Sequence, residues 1–292
     1  MKPAPFRYEK PRSLEEALSI LAQHGDDARP LAGGQSLVPL MNLRLARPEV
    51  LLDLNAISEL NEIDADSGGV IRIGAMTRQS TLENDVKLVA ALPLVALGAR
   101  HIGHRQIRRR GTLGGNLSHA DPASELPAVM IALDAHIVLQ DQSGRREVPA
   151  DEFFVGAYET RTKPTELMSD VLVRPNSPRS RIGFVEFARC AGAFALVGAA
   201  VSVDVADDLT CGSARIALCG AESRPRRLLD AENALIGVRL DPEAITAAAR
   251  VGGESVVPLN DLQASGPQRR HLSSVAIRRA LALAVGDQGM AA

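Results

Sequence analysis

Two glycine-pair segments of nearly the same design, Ala32-Gly33-Gly34-Gln35-Ser36 and Thr112-Leu113-Gly114-Gly115-Asn116, constrain this chain more than anything else in it. Each sets two glycines beside small hydroxyl or amide side chains. Such a loop lets the backbone come close to a ligand and aim several N–H groups at one anion. A diphosphate suits two loops of this kind, with the Ser36 and Thr112 hydroxyls assisting the backbone.

A single glycine pair reads as an ordinary turn, and Gly68-Gly69 and Gly252-Gly253 are both assigned to turns. Neither of the two principal segments is G-x-G-x-x-G or G-x-x-x-x-G-K-[ST], so the Rossmann fingerprint and the P-loop are both missing. Without a P-loop lysine there is no evident means of moving a phosphoryl group. The pair therefore reads as a holder for a dinucleotide cofactor.

Composition bounds the alternatives. A net charge of −2 over 292 residues argues against a dedicated nucleic-acid binder, which carries a basic surplus. Any bound anion must be held locally. The N-terminal MKPAPFRYEKPRSLEEAL does not read as a secretory signal, and no apolar run approaches the roughly 20 residues that span a bilayer. A cytoplasmic location is expected. Cys190, Cys211 and Cys219 form no disulfide framework and match no common zinc or iron–sulfur spacing, and all three are read as buried small apolar residues. No metal site is expected; His101 and His104 lack a carboxylate or cysteine to complete one.

Ser13-Leu14-Glu15-Glu16 is a capping box for a helix with Leu14, Ala17, Leu18 and Leu21 on one face, ending at Gly25. A strand to Leu31, the first glycine pair and a strand over 50–54 complete a small α/β unit. Asp66-Ser67-Gly68-Gly69 reads as a turn into a strand over 70–73, with a helix starting at Thr77. Further helices are expected over 93–100 and 128–133, and a hairpin from 137–139 and 145–148. The basic run from His101 to Arg110 has two readings, a solvated charged edge or a phosphate contact, and the former is preferred. A boundary falls near Arg174-Pro175-Asn176-Ser177-Pro178. Beyond it, strands around 184–187, 196–205 and 214–218 precede helices over 227–235, 242–249 and 272–285, an α+β pattern.

The runs LAGGQSLVPLMNLRLARPEVLLDLN, IGAMTRQSTLE and IGHRQIRRRGTLGGNLSHADPASELPAVMIALDA closely resemble the FAD-binding medium subunit of molybdenum hydroxylases, the carbon monoxide dehydrogenase and xanthine dehydrogenase family. ELMSDVLV, FARCAGAFALVGAA and HLSSVAIRRALALA extend the resemblance over nearly the whole chain. It implies an α+β protein with a two-lobed FAD-binding domain over 1–175 (lobes about 1–56 and 57–175) and a C-terminal flavoprotein domain over 176–292. By the same match FAD would be held by Leu31, Ala32, Gly33, Gly34, Gln35, Ser36 and Leu37 and by Thr112, Gly114, Gly115 and Asn116. Ile102 would pack near the flavin, with Glu125 an acidic contact and Leu167 or Met168 an apolar one. Plainer readings stand beside these: Ile102 as core, Glu125 as a helix N-terminal charge, and Asp121 as either a cofactor contact or a solvated loop residue.

The resemblance further implies a large molybdenum-cofactor subunit and a small two-iron two-sulfur subunit as partners, assembled as a dimer of heterotrimers, with FAD passing electrons to an external acceptor. No side chain is then expected to be catalytic. Two other functions fit a dinucleotide site: a self-contained FAD-dependent oxidoreductase, and a non-catalytic dinucleotide-binding module. Many relatives carry a lysine near Val185 or Glu186, an arginine where Cys190 stands and an acid where Ala193 stands, so these positions depart from the pattern; Arg189 is retained.

Overall fold

The computed structural model describes residues 2–65, 69–286 and 290. The chain begins with strand β1 (Arg7–Glu9), helix α1 (Leu14–His24), β2 (Ala28–Leu31), α2 (Leu37–Asn42) and β3 (Val50–Asp53). The strands form a parallel sheet in the order β1-β3-β2. Helix α1 starts where the capping box predicts, with the Ser13 hydroxyl accepting the Glu16 N–H at 3.1 Å. Its buried Ala17, Leu18 and Leu21 pack on Val50 and Leu52 to make a small core. The short β1 carried no periodic signal and was not anticipated.

The second lobe runs through β4 (Ile63–Asp64), β5 (Ile71–Gly74), α3 (Gln79–Asn84), α4 (Val86–Ala91), α5 (Pro93–His101), α6 (Arg105–Arg110), α7 (Leu113–His119) and α8 (Glu125–Ala132). It continues with β6 (His136–Asp141), β7 (Gly144–Pro149), α9 (Ala150–Phe153), β8 (Phe154–Gly156), β9 (Glu159–Thr160) and β10 (Leu167–Val173). Its main sheet is antiparallel, in the order β4-β5-β10-β6-β7. All eight residues of α8 are buried, as expected of a helix that is apolar all round. It begins three residues before the expected Ala128, because Pro127 sits in the first turn, where a proline costs no helical hydrogen bond.

The remaining chain forms β11 (Ser180–Ala188), β12 (Ala195–Val205), β13 (Cys211–Cys219), β14 (Arg226–Arg227), α10 (Leu229–Asn233), α11 (Pro242–Glu254) and α12 (Gly266–Val285). The four strands make an antiparallel sheet in that order. Strand alternation gives the sheet two buried faces. Val197, Ala199, Val201 and Val203 of β12 lie on the side of α12 and share one core with it and with α11. Phe184, Ala200, Ala217 and Cys219 face the other way and join the core of the second lobe.

Several expectations are corrected. Gly252-Gly253 is no turn: both residues lie inside α11 and are buried. A Cβ on Gly252 would stand 2.7 Å from Ile277 Cδ1, and one on Gly253 2.0 Å from Ser274 Oγ. The doubled glycine lets α11 and α12 approach closely, a helix-packing use that a pair read in isolation does not reveal. Arg227 belongs to β14 rather than to a helix. The helix expected from Thr77 opens at Gln79, because residues 75–79 run alongside 111–114: Leu113 N–H donates to Thr77 O at 2.9 Å and Gln79 N–H to Gly111 O at 3.0 Å. Cys190 is exposed, and only Cys211 and Cys219 are buried; all three are free thiols. Within the expected turn at 66–69, residues 66–68 lie outside the described residues. No helix among the described residues is long and apolar enough to cross a membrane.

Replacing Gly253 by valine should destabilise the protein by about 1–3 kcal/mol, because the added methyl groups have no space against Ser274 and Arg270 O. Urea denaturation would read this as a lower midpoint at an unchanged slope.

Candidate functional site

The two glycine pairs meet. Gly33 is buried, and a Cβ there would lie 2.3 Å from Arg110 O and 2.8 Å from Gly111 Cα. On the facing segment, a Cβ on Gly114 would lie 2.6 Å from Ala75 Cβ, and one on Gly115 3.3 Å from Ala32 Cβ. The glycines are therefore needed first for protein-to-protein approach. They seat the first lobe's loop directly on the second lobe's.

A polar chain bridges the same junction. Asn55 Nδ2 donates to Ala32 O at 3.0 Å, and Arg78 donates to Asn55 Oδ1 at 2.6 Å and to Arg110 O. Asn55 is itself held by Asp53, its backbone N–H reaching Asp53 Oδ1 at 2.9 Å, and the Tyr8 hydroxyl donates to Asp53 Oδ2. Burial works against the Asp53 carboxylate, but the hydrogen bonds from Tyr8 and Asn55 prevail and hold its pKa below the ordinary value. Burial, and then the like charge of Arg110, lowers the pKa of Arg78. Asn55 and Arg78 were not expected as site residues. Single polar residues outside any motif give no local signal of a bridge across 23 residues of sequence.

Along this junction runs a cavity of about 770 Å³. Of the sequence-predicted residues it is lined by Ala32, Gly33, Gly34, Gln35, Ser36, Leu37, Ile102, Thr112, Gly114, Gly115, Asn116, Asp121, Glu125, Leu167 and Met168. Leu31 does not line it; as the last residue of β2 it stands behind Gly34. Ile102 is 7% exposed and belongs both to the cavity wall and to the main core, so its two readings are not exclusive. Gly192, Ala193 and Phe194 reach the cavity from the C-terminal domain. Phe194, 76% exposed, is the one large aromatic ring they bring; it stands two residues after Gly192 in the β11–β12 connection, and no sequence motif marks it.

The two segments differ as sources of hydrogen bonds. The N–H groups of Gly33, Gly34, Gln35 and Ser36 have no acceptor among the described residues. The second segment's are taken: Gly114 N–H donates to Ala75 O at 2.7 Å, Asn116 N–H to Thr112 O at 3.2 Å and Gly115 N–H to the Thr112 hydroxyl at 3.0 Å. The expectation of two equivalent anion loops is thus corrected. The second pair is the first turn of α7, with Thr112 as its cap and 1% exposed. From this side Asn116 offers its amide nitrogen, since its Oδ1 accepts the Ser124 hydroxyl at 2.7 Å. Free donors on one wall, an amide opposite and room for an extended ligand fit a dinucleotide diphosphate.

The basic run is only partly a solvated edge. Arg108 is 7% exposed, donates to Glu83 Oε2 at 2.8 Å and caps Ile102 O at 2.9 Å, so it fixes the loop that carries Ile102 and Gly103. Among the described residues no group of His, Cys, Asp and Glu side chains could hold a metal ion. The departures are dispersed: the Glu186 side chain is 5% exposed, Val185 packs toward α12, and Ala193 lines the cavity. Arg189 donates to Leu262 O and Gln263 O at 3.3 and 3.2 Å.

Comparison with known proteins agrees with this architecture. Residues 4–175 match the family described as the FAD binding domain in molybdopterin dehydrogenase, and residues 183–284 the CO dehydrogenase flavoprotein C-terminal domain. The nicotine 6-hydroxylase medium subunit of Paenarthrobacter nicotinovorans is 39% identical over 281 residues, 96% of this chain and 98% of that protein. A chain of carbon monoxide dehydrogenase from Hydrogenophaga pseudoflava superposes with a TM-score of 0.95 at 38% identity, over 98% of this chain and 99% of that one. A chain of quinoline 2-oxidoreductase from Pseudomonas putida 86 gives 0.93 at 35% identity, over 98% and 99%.

Arg78→Ala should leave Arg110 O and Asn55 Oδ1 without their donor and cost about 1–3 kcal/mol of stability. Thermal unfolding of the apo chain would show it, and Arg78→Lys should recover only part of the loss because one ammonium cannot span both acceptors as the guanidinium fork does.

Proposed function

We propose, from the premise that this chain belongs to the FAD-binding medium subunits of the carbon monoxide dehydrogenase and xanthine dehydrogenase type of molybdenum hydroxylases, that it passes electrons from a partner's iron–sulfur clusters through FAD to an external acceptor. The observation that carries this reading is the single cavity joining both glycine segments, the Ile102 loop and the 192–194 strap. FAD, when bound, supplies the redox chemistry, while the protein binds and orients it.

In this reading the free N–H groups of residues 33–36 and the Asn116 amide take the diphosphate. Ile102 and Phe194 border the ring system, and Leu167 and Met168 supply apolar wall. Gln35 and Ser36 are exposed enough to adjust to the ligand, whereas Thr112 acts through α7 rather than by direct contact. None of these groups acts as acid, base or nucleophile.

Family membership implies partners carrying the molybdenum cofactor and iron–sulfur clusters. A dimer of heterotrimers is our reading of their stoichiometry, and the cytoplasm, which keeps three unpaired thiols reduced, our reading of the compartment. We place the boundary between the FAD-binding and C-terminal domains near residue 175, after β10. The substrate would be chosen by the molybdenum-bearing partner: the relatives named above are a nicotine hydroxylase, a carbon monoxide dehydrogenase and a quinoline oxidoreductase.

The chain reconstituted with FAD should be yellow, should be bleached by anaerobic dithionite and should recover its flavin absorption on reoxidation. Bound flavin that cannot be reversibly reduced would favour a non-catalytic module, and turnover of a small substrate by the isolated chain would favour a self-contained oxidoreductase. Gly33→Asp combined with Gly115→Asp should abolish FAD binding, because side-chain bulk and negative charge enter the junction from both sides; unimpaired binding would show that the cofactor lies elsewhere.

A further inference from the structure

Gln79 opens α3 with its side chain folded inward. It is 4% exposed, although glutamine is mostly a surface residue. Its backbone N–H donates to Gly111 O at 3.0 Å, so the main chain is satisfied. The side chain is not. Among the described residues Oε1 is enclosed and has no hydrogen-bond partner, and Nε2 donates to no acceptor. A buried amide with none of its hydrogen bonds made is unfavourable for the fold.

Gly111 makes the room for this arrangement. A Cβ there would lie 2.3 Å from Gln79 Oε1, 2.7 Å from its Cδ and 3.0 Å from its Nε2. The Gly111 backbone, with φ −56° and ψ 147°, is extended and open to any residue. Space for the carboxamide, and not backbone freedom, is therefore what calls for glycine at this position. Gly111 is also the residue that Gly33 rests on, its Cα 2.8 Å from where a Gly33 Cβ would stand. Gln79, Gly111 and Gly33 all line the cavity. The unpaired amide thus stands at the lobe junction, among the residues to which the diphosphate is assigned.

We propose that the Gln79 side-chain amide is a further phosphate ligand, its N–H donating to the diphosphate of the cofactor, and that Gly111 is glycine in order to seat it. The oxygen is closed in beside Gly111, which leaves the nitrogen as the end for a ligand to reach. An N–H donor suits an anion, and a carboxamide supplies two. A hydrogen bond to an ionised oxygen is also stronger than one between neutral groups, and it offsets the cost of keeping the amide unpaired in the apo chain. Gln79 then joins the N–H groups of 33–36 and the Asn116 amide as a third neutral donor.

Packing alone makes the opposite demand. If Gln79 only filled space, an apolar side chain of the same length would serve the apo fold as well or better, because it removes a buried polar group that has no partner. Cofactor binding would then be left as it was.

This inference rests on the FAD-binding reading of the cavity, and its test separates the two. Gln79→Met keeps the length of the side chain and removes both polar atoms. By flavin fluorescence on the full chain, FAD should bind about tenfold more weakly to Gln79→Met than to the native protein. The thermal midpoint of the variant's apo form should be unchanged or raised. Equal affinity for FAD would overturn the proposal, and so would weaker binding accompanied by a lowered apo midpoint, the mark of an amide needed for the fold. The native chain gives a reading independent of the variant. In 15N-labelled protein, one of the two Gln79 side-chain N–H proton resonances, assigned from the residue's own backbone, should move downfield when FAD is added; if neither does, the proposal is overturned. Failure of the native chain to bind FAD at all would count against the cofactor assignment itself, and the phosphate role of Gln79 would fall with it.

Discussion

The structure turns on a backbone contact that leaves no room for a side chain. Gly33 of the first lobe sits against the peptide joining Arg110 and Gly111, and Ala32 faces Gly115. Because the two lobes have separate sheets, parallel in one and antiparallel in the other, their relative placement rests on contacts of this kind. Asn55 and Arg78 then tie the carbonyls of Ala32 and Arg110 together from the side. A cleft whose two walls are pinned at their base in this way is preorganised. Less conformational entropy then remains to be lost when a ligand enters it.

The C-terminal domain is built on the same economy. Its sheet presents one face to α10 and α12, with α11 packed on those helices, and the other to α5 and α8, so the main core runs without interruption from β5 to β13. Helix α8 lies between two sheets, which is why its sequence is apolar on every side. The exception is Glu125 at its first position. A buried carboxyl there would be a liability if ionised and unpaired; burial first, and then the charge of Glu186, push its pKa up to about 8.

Much of this was legible from sequence, unevenly and for physical reasons. Periodicity and capping give α1, β3 and β12 because those elements are amphipathic or continuously apolar over their own length. The glycine pairs announce close approach but not what approaches: Gly33-Gly34 and Gly114-Gly115 serve the lobe junction, whereas Gly252-Gly253 serves two helices, and no local pattern separates these cases. The Gly114 donor is taken by Ala75 O, which lies far off in sequence, whereas those of Gly115 and Asn116 go to Thr112, the cap of the helix they begin. Cys190 looked like a small apolar residue and is exposed, since its surroundings are set by a loop rather than by strand alternation. Asn55, Arg78 and Phe194 act through partners distant in sequence, which composition and spacing do not encode.

The cavity poses an electrostatic problem that its geometry answers. Its wall carries Asp26, Asp121, Glu125, Glu159 and Glu166, against Arg29 and Lys163 as fixed cations. A wall of that balance would repel a diphosphate unless most of the acids were otherwise engaged. Glu166 is engaged, paired with Arg146 at 2.7 Å and receiving the Lys163 N–H at 2.8 Å, and Asp121 accepts the Ala123 N–H at 2.9 Å. Glu125 is 6% exposed, and burial pushes its pKa up to about 8. What remains at the lobe junction is a set of neutral donors, the N–H groups of 33–36 and the Asn116 amide, where short-range dipoles act on an anion more strongly than distant and screened charges. Selectivity for an anionic cofactor thus arises in a protein of slight net negative charge. The chain reaches it by pairing Glu166 with Arg146, burying Glu125 and leaving one loop of peptide groups unsatisfied, without assembling a cluster of cations.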